Sequence, residues 1–119
     1  MTRHERIHYI ELPARDLEAA QAFYGKVFGW TFESYGPEYL AFHDGGMDGG
    51  FYKADLHARC DRGSALVILY SDDLEATLAK VENGGGTILQ AIFSFPGGRR
   101  FHFADPNDNE LAVWQEVAE

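Results

Sequence analysis

The stretch ELPARDLEAAQAFYGKVFGWT, residues 11–31, returns in altered form as ILYSDDLEATLAKVENGGGT, residues 68–87. Asp16-Leu17-Glu18-Ala19 recurs as Asp73-Leu74-Glu75-Ala76. The same shift, 73 − 16 = 57, sets Leu12 on Leu69, Ala22 on Ala79 and Gly29 on Gly86. One constant offset across so many positions means two similar halves, about 5–55 and 64–117. The connecting stretch LHARCDRGS, residues 56–64, is too short to part independent domains. The chain therefore reads as a single domain, 1–119, built from a doubled unit.

Each half opens with a strand, RIHYIELP and then SALVILYS. The second is a nearly continuous apolar run, the pattern of a strand covered on both faces. A helix follows in each half. Asp16 and Asp73 stand where a short carboxylate can accept the free N–H groups of a first turn. Glu18 and Glu75 add negative charge at the positive helix end. Phe23, Tyr24, Val27 and Phe28 recur at helical spacing, as do Leu74, Leu78 and Val81. Gly29 and Gly84-Gly85-Gly86 are the stop signals, since glycine enters the left-handed region cheaply. Three short strands follow each helix: TFESY, YLAFHD and GGFYKA, then TILQAIFSF, RRFHFAD and ELAVWQE. Turns GP, GGMDGG, PGG and PNDN separate them. The order is βαβββ, twice, an α+β chain.

Composition narrows the partners. The net charge is 10 − 19 = −9, and such a surface repels phosphate backbones and anionic membranes. Neither nucleic acid nor membrane is expected. Cys60 is the only cysteine, so no intrachain disulfide can form, which favours a reducing, cytoplasmic setting. The opening MTRHERIHYI has no apolar run of the signal-peptide kind. Cys60 itself, in HARCDRG, reads as a loop thiol beside two arginines.

These residues resemble the vicinal oxygen chelate superfamily, which includes glyoxalase I, bleomycin-resistance proteins, fosfomycin-resistance proteins and extradiol dioxygenases. The likeness rests on LPARDLEAAQAFYGKVFGW, on YSDDLEATLAKVENGGGTI and on the closing FADPNDNELAVWQ, similar to the family's DPxGN turn and strand. The resemblance implies two tandem βαβββ modules forming a curved, cup-shaped mixed sheet. It also implies a small-molecule cavity in the cup and a homodimer.

Metal-using members of that family hold a divalent cation with four His, Gln or Glu side chains. The resemblance puts the first ligand seven residues before the helix-starting Asp, at 16 − 7 = 9, which is Tyr9. The second falls on Leu66, and the internal repeat agrees, since 9 + 57 = 66. The last falls on Ala112, and the remaining position is Tyr52 or Ala54. Leu and Ala have no donor atom, so a degenerate site with no metal cofactor is the expectation. The alternative is a bulge that brings His8 inward, with His43 or His102 as partners.

The other candidates follow from residue chemistry. Glu11 shares the face of Tyr9 and is the acid/base candidate of that strand; the plain reading is an exposed glutamate. His43 and His102 lie on strands, and imidazole as a residue type suits proton transfer near neutral pH, so both are candidate general bases beside a structural reading. Arg99 and Arg100 are adjacent on a strand, so at most one points inward. Tyr9, Glu11, Tyr52, Leu66, Ala112 and Trp114 are the candidate ligand contacts. In FADPNDNELAVW the acidic residues read as turn structure. Asp108 stands where the family usually has glycine and is expected at positive φ. The function expected is small-molecule binding. The alternative is a lyase, isomerase or dioxygenase-like enzyme with an unrecognised metal or acid/base site.

Overall fold

The computed structural model describes residues 3–117. The chain divides into two compact units, one up to Leu56 and one from His57 onward. Residues 57–63 therefore belong with the second unit. The Ala58 N–H donates to the Asn109 side chain at 2.8 Å, and the Glu110 N–H donates to the Ala58 carbonyl at 2.7 Å.

The first unit runs β1 (Tyr9–Ala14), α1 (Leu17–Phe28), β2 (Thr31–Ser34), β3 (Tyr39–His43) and β4 (Asp48–Lys53). Its sheet has the order β1-β4-β3-β2, with β1 parallel to β4 and the other pairs antiparallel. Asp16 caps α1, its carboxylate accepting from the Ala19 N–H at 3.1 Å. Gly29 closes the helix at φ 74°. The apolar stripe of α1 puts Phe23, Tyr24 and Val27 against Leu40, Phe42 and Phe51. Tyr24 stacks on Trp30 and Trp30 on Phe42, both at 4.6 Å between ring centres. Each such pair is worth about 0.5–1.5 kcal/mol beyond the area it buries.

The second unit repeats the plan: β5 (Val67–Tyr70), α2 (Leu74–Asn83), β6 (Thr87–Phe95), β7 (Gly98–Ala104) and β8 (Glu110–Glu116). Its order is β5-β8-β7-β6, the same arrangement moved along the chain. Asp73 caps α2 through the Ala76 N–H at 3.2 Å. The left-handed glycine at its end is Gly85, one place past the cap. Helix α2 packs on Phe101, Phe103, Leu111 and Val113, all fully buried or nearly so. Strand β6 carries two register shifts against β7, between Ile88 and Gln90 and between Gln90 and Phe93.

One expectation is corrected. The run SALVILYS is not covered on both faces: Ile68 and Tyr70 are 44% and 50% exposed. Helix α2 shields one side of the sheet, and Ile68 and Tyr70 on the other side stay accessible. Within each unit the sheet thus has a helix-covered face and a face turned away from the helix. No helix among the described residues is long and apolar enough to cross a membrane.

Candidate functional site

Strand register sets what the first sheet shows on its helix-free face. Alternation puts Tyr9, Glu11, Tyr39, His43, Asp48 and Tyr52 on that side, with Glu33 and Tyr35 at the β2 edge. Glu11 and Glu33 are exposed, and Tyr9 and Tyr35 are 43% and 62% exposed. The Tyr9 and Tyr39 hydroxyls are 2.7 Å apart, and the Tyr39 hydroxyl donates to Glu11 Oε2 at 2.8 Å. Burial, the bond with Tyr9 and the bond to Glu11 all push the Tyr39 phenol well above its usual range. The hydrogen bond with Glu33, followed by that carboxylate's charge, pushes Tyr35 upward too. His43 sits across the ladder from Asp48, its Nδ1 2.7 Å from the carboxylate. His8 precedes β1, is exposed, and lies 3.5 Å from the Arg3 guanidinium.

The helix-free face of the second sheet carries Ile68, Tyr70, Arg100, His102, Glu110, Ala112 and Trp114. Leu66 is half-buried just before β5, and Ala112 is fully buried. Trp114 meets Tyr70 edge to face, with ring centres 5.2 Å apart. The adjacent arginines part as alternation requires. Arg99 turns to the helix side and pairs with Glu75 at 2.6 Å, while Arg100 lies over the Phe93 and Phe95 rings.

Glu110, read as turn chemistry, is the residue the sequence concealed. Its carboxylate is 8% exposed and takes two hydrogen bonds. His102 Nδ1 lies 2.8 Å from Oε2, and the Cys60 N–H donates to Oε1 at 3.0 Å. Burial alone pushes the Glu110 carboxyl up. The Cys60 N–H, His102 and the Cys60 thiol outweigh it, and the net direction is down. Burial, then the bond to Glu110, raises the Cys60 thiol. His102 Nε2 and Arg100 Nε are buried and make no hydrogen bond among the described residues. Asp105 and Asp108 are structural. Asp105 Oδ1 accepts from the N–H groups of Asn107 and Asn109, and Asp108 sits at φ 69°.

Residues 6–113 match the Glyoxalase/Bleomycin resistance protein/Dioxygenase superfamily. The chain belongs to that superfamily. A glyoxylase-like domain-containing protein of Didymella fabae is 29% identical over 95% of this chain and 97% of its own. A solved glyoxalase/bleomycin resistance protein/dioxygenase family enzyme of Burkholderia phytofirmans superposes with a TM-score of 0.77 at 17% identity, covering 92% of this chain and 97% of the other. A fosfomycin resistance protein of Listeria monocytogenes gives 0.76 at 14% identity, over 93% of each. At these identities the structures share the fold.

The positions that the sequence reading assigned to metal ligands carry few donor atoms. Tyr9 offers only a phenol, already bonded to Tyr39. Leu66 and Ala112 offer no donor. For the remaining position, Tyr52 lies on that face of β4 and Ala54 just past the end of the strand, with no donor in its side chain. His43 pairs with Asp48 in the first unit and His102 with Glu110 in the second, and neither stands at one of those positions.

Proposed function

We propose that this chain binds a small organic cation on the helix-free face of its first sheet, without a metal at the superfamily's positions. The observation that carries this reading is the chain Tyr9–Tyr39–Glu11. Tyr39 donates to one oxygen of Glu11 and leaves the other free to accept from a ligand. Glu33 and Asp48 add negative charge, and Tyr9, Tyr35 and Tyr52 add ring surface. Aromatic faces beside carboxylates favour ammonium-like groups, worth about 0.5–2 kcal/mol per cation–π contact. Glu11 and Tyr52 keep the ligand-contact role expected from the sequence, and Tyr39 joins them. A cytoplasmic homodimer belongs to the same reading; light scattering that finds only a 13.3 kDa monomer would remove the dimer.

Metal-free protein screened by thermal shift against paired cationic and neutral aromatic compounds tests the proposal. A ligand that binds only the folded state raises the melting temperature. The cationic member of each pair should stabilise, and Glu11→Gln should erase the difference. Equal stabilisation by the neutral members would refute it.

A second reading, acid/base catalysis of the lyase or isomerase kind, is favoured by His102. Glu110 holds Nδ1 and leaves Nε2 without a partner, the arrangement of an oriented base. Turnover of a carbonyl compound by wild type and not by His102→Gln would support it. Equal turnover by the two would end it.

A further inference from the structure

Cys60, His102 and Glu110 come from three separate places in the second unit: the turn Cys60–Arg62, β7 and β8. One donor atom from each, a sulfur, an imidazole nitrogen and a carboxylate oxygen, lies within 4.8 Å of the other two. We infer that this cluster is a binding site for zinc or a similarly borderline divalent ion, held by residues other than those at the superfamily's positions though next to Ala112. The inference stands apart from the cation surface, which involves the first unit alone.

The donor set selects the ion. Thiolate and imidazole suit zinc and disfavour magnesium and calcium, which want oxygen alone. Tetrahedral zinc, at about 2.3 Å from sulfur and about 2.0 Å from nitrogen and oxygen, sets its donors roughly 3.3–3.6 Å apart. The His102–Glu110 pair, 2.8 Å apart, opens by about half an ångström to meet that, and a pair as far apart as 4.8 Å closes by roughly 1.2 Å. Cys60 is exposed, so its side chain has room to move and the ion has a way in.

The support around the donors is in place. The Cys60 N–H fixes Glu110 Oε1, which leaves Oε2 directed at His102. Outer partners of this kind orient a ligating carboxylate. His102 Nδ1 faces Glu110 Oε2 at 2.8 Å, so an ion at the cluster takes Nδ1 and the ring proton passes to Nε2, which makes no hydrogen bond among the described residues. Arg100 adds positive charge close by, but thiolate and carboxylate together cancel the charge of a divalent ion. Binding displaces the thiol proton to solvent. Three protein donors leave a fourth position open, as in zinc sites that take water or substrate.

Tag-free, chelator-stripped protein titrated with cobalt(II), and then with zinc(II), gives the test. Wild type should take up one equivalent of cobalt, with a thiolate-to-cobalt charge-transfer band that zinc abolishes. Cys60→Ser, a change at an exposed turn, should lack the band and bind zinc on the order of 100-fold more weakly, the upper end of what even an outer partner contributes. Tyr39→Phe should bind both metals as wild type does, so a failed cation surface is told apart from a failed metal site. Absence of the band in folded wild type, or equal zinc affinity in Cys60→Ser, would overturn the inference.

Discussion

The side chain of Tyr39 occupies the space that a Cβ on Gly50 would fill. The two residues sit on neighbouring strands, and the missing side chain at 50 lets the phenol reach Glu11. Gly50→Ala should therefore displace the Tyr39 ring and break the Tyr9–Tyr39–Glu11 chain. The atoms in the way are the far end of a movable side chain, so the fold should survive. Cation binding should be lost while the melting temperature changes by only a few degrees.

Gly49, one residue earlier, faces α1 and behaves differently. A Cβ there would meet the Ile10 carbonyl oxygen and the Phe42 ring. Backbone cannot swing aside, and Phe42 is stacked on Trp30. Gly49→Ala should cost about 1–3 kcal/mol, the usual range for overpacking a core. Urea unfolding of the two alanine variants side by side checks the contrast.

The Tyr39 phenol makes alkaline stability a readout of the same hydrogen bonds. Burial first, and the bonds with Tyr9 and Glu11 next, raise its folded pKa above the ordinary 10.0. The folded chain then holds that proton more tightly than the unfolded chain. The stabilisation is whole below about pH 10 and is lost as pH rises through the higher folded value. Tyr39→Phe should be less sensitive to alkali than wild type. Denaturation curves at about pH 8 and pH 11 measure it, and equal losses would contradict the linkage.

Asp108 holds φ at 69° inside the turn Asp105–Asn109. Glycine reaches that region without strain, but it costs more order on folding. Its long contact with Arg59, 3.5 Å to a half-exposed carboxylate, is a minor loss. Asp108→Gly should stabilise by about 0.5 kcal/mol, the difference between left-handed strain and glycine entropy. A lowered melting temperature would contradict this.

The architecture was legible because local signals repeat. Asp16 and Asp73 cap the two helices, and both helices start 57 residues apart, 74 − 17 = 57. Glycine and proline turns placed β6 and β8 at their observed bounds. The strand SALVILYS misled because a row of apolar residues, Ala65 to Leu69, says nothing about what covers it. Tyr39 and Glu110 were hidden for a related reason. Tyr39 reaches Glu11 only through the register of β1, β4 and β3 and through the gap at Gly50. Glu110 meets His102 only through the β7–β8 ladder, and it meets Cys60 because residues 57–63 fold back along β8. Long-range register of this kind leaves no local pattern. Arg99 and Arg100 were separable because strand alternation is local.

Calorimetric titration of one stabilising cation into metal-free wild type, Tyr39→Phe and Glu11→Gln tests the central claim most directly. The account predicts one site per chain in wild type, weaker binding once the Tyr39 hydroxyl is gone and none that is measurable without the Glu11 charge. Unchanged affinity in both variants would place the ligand elsewhere and contradict it.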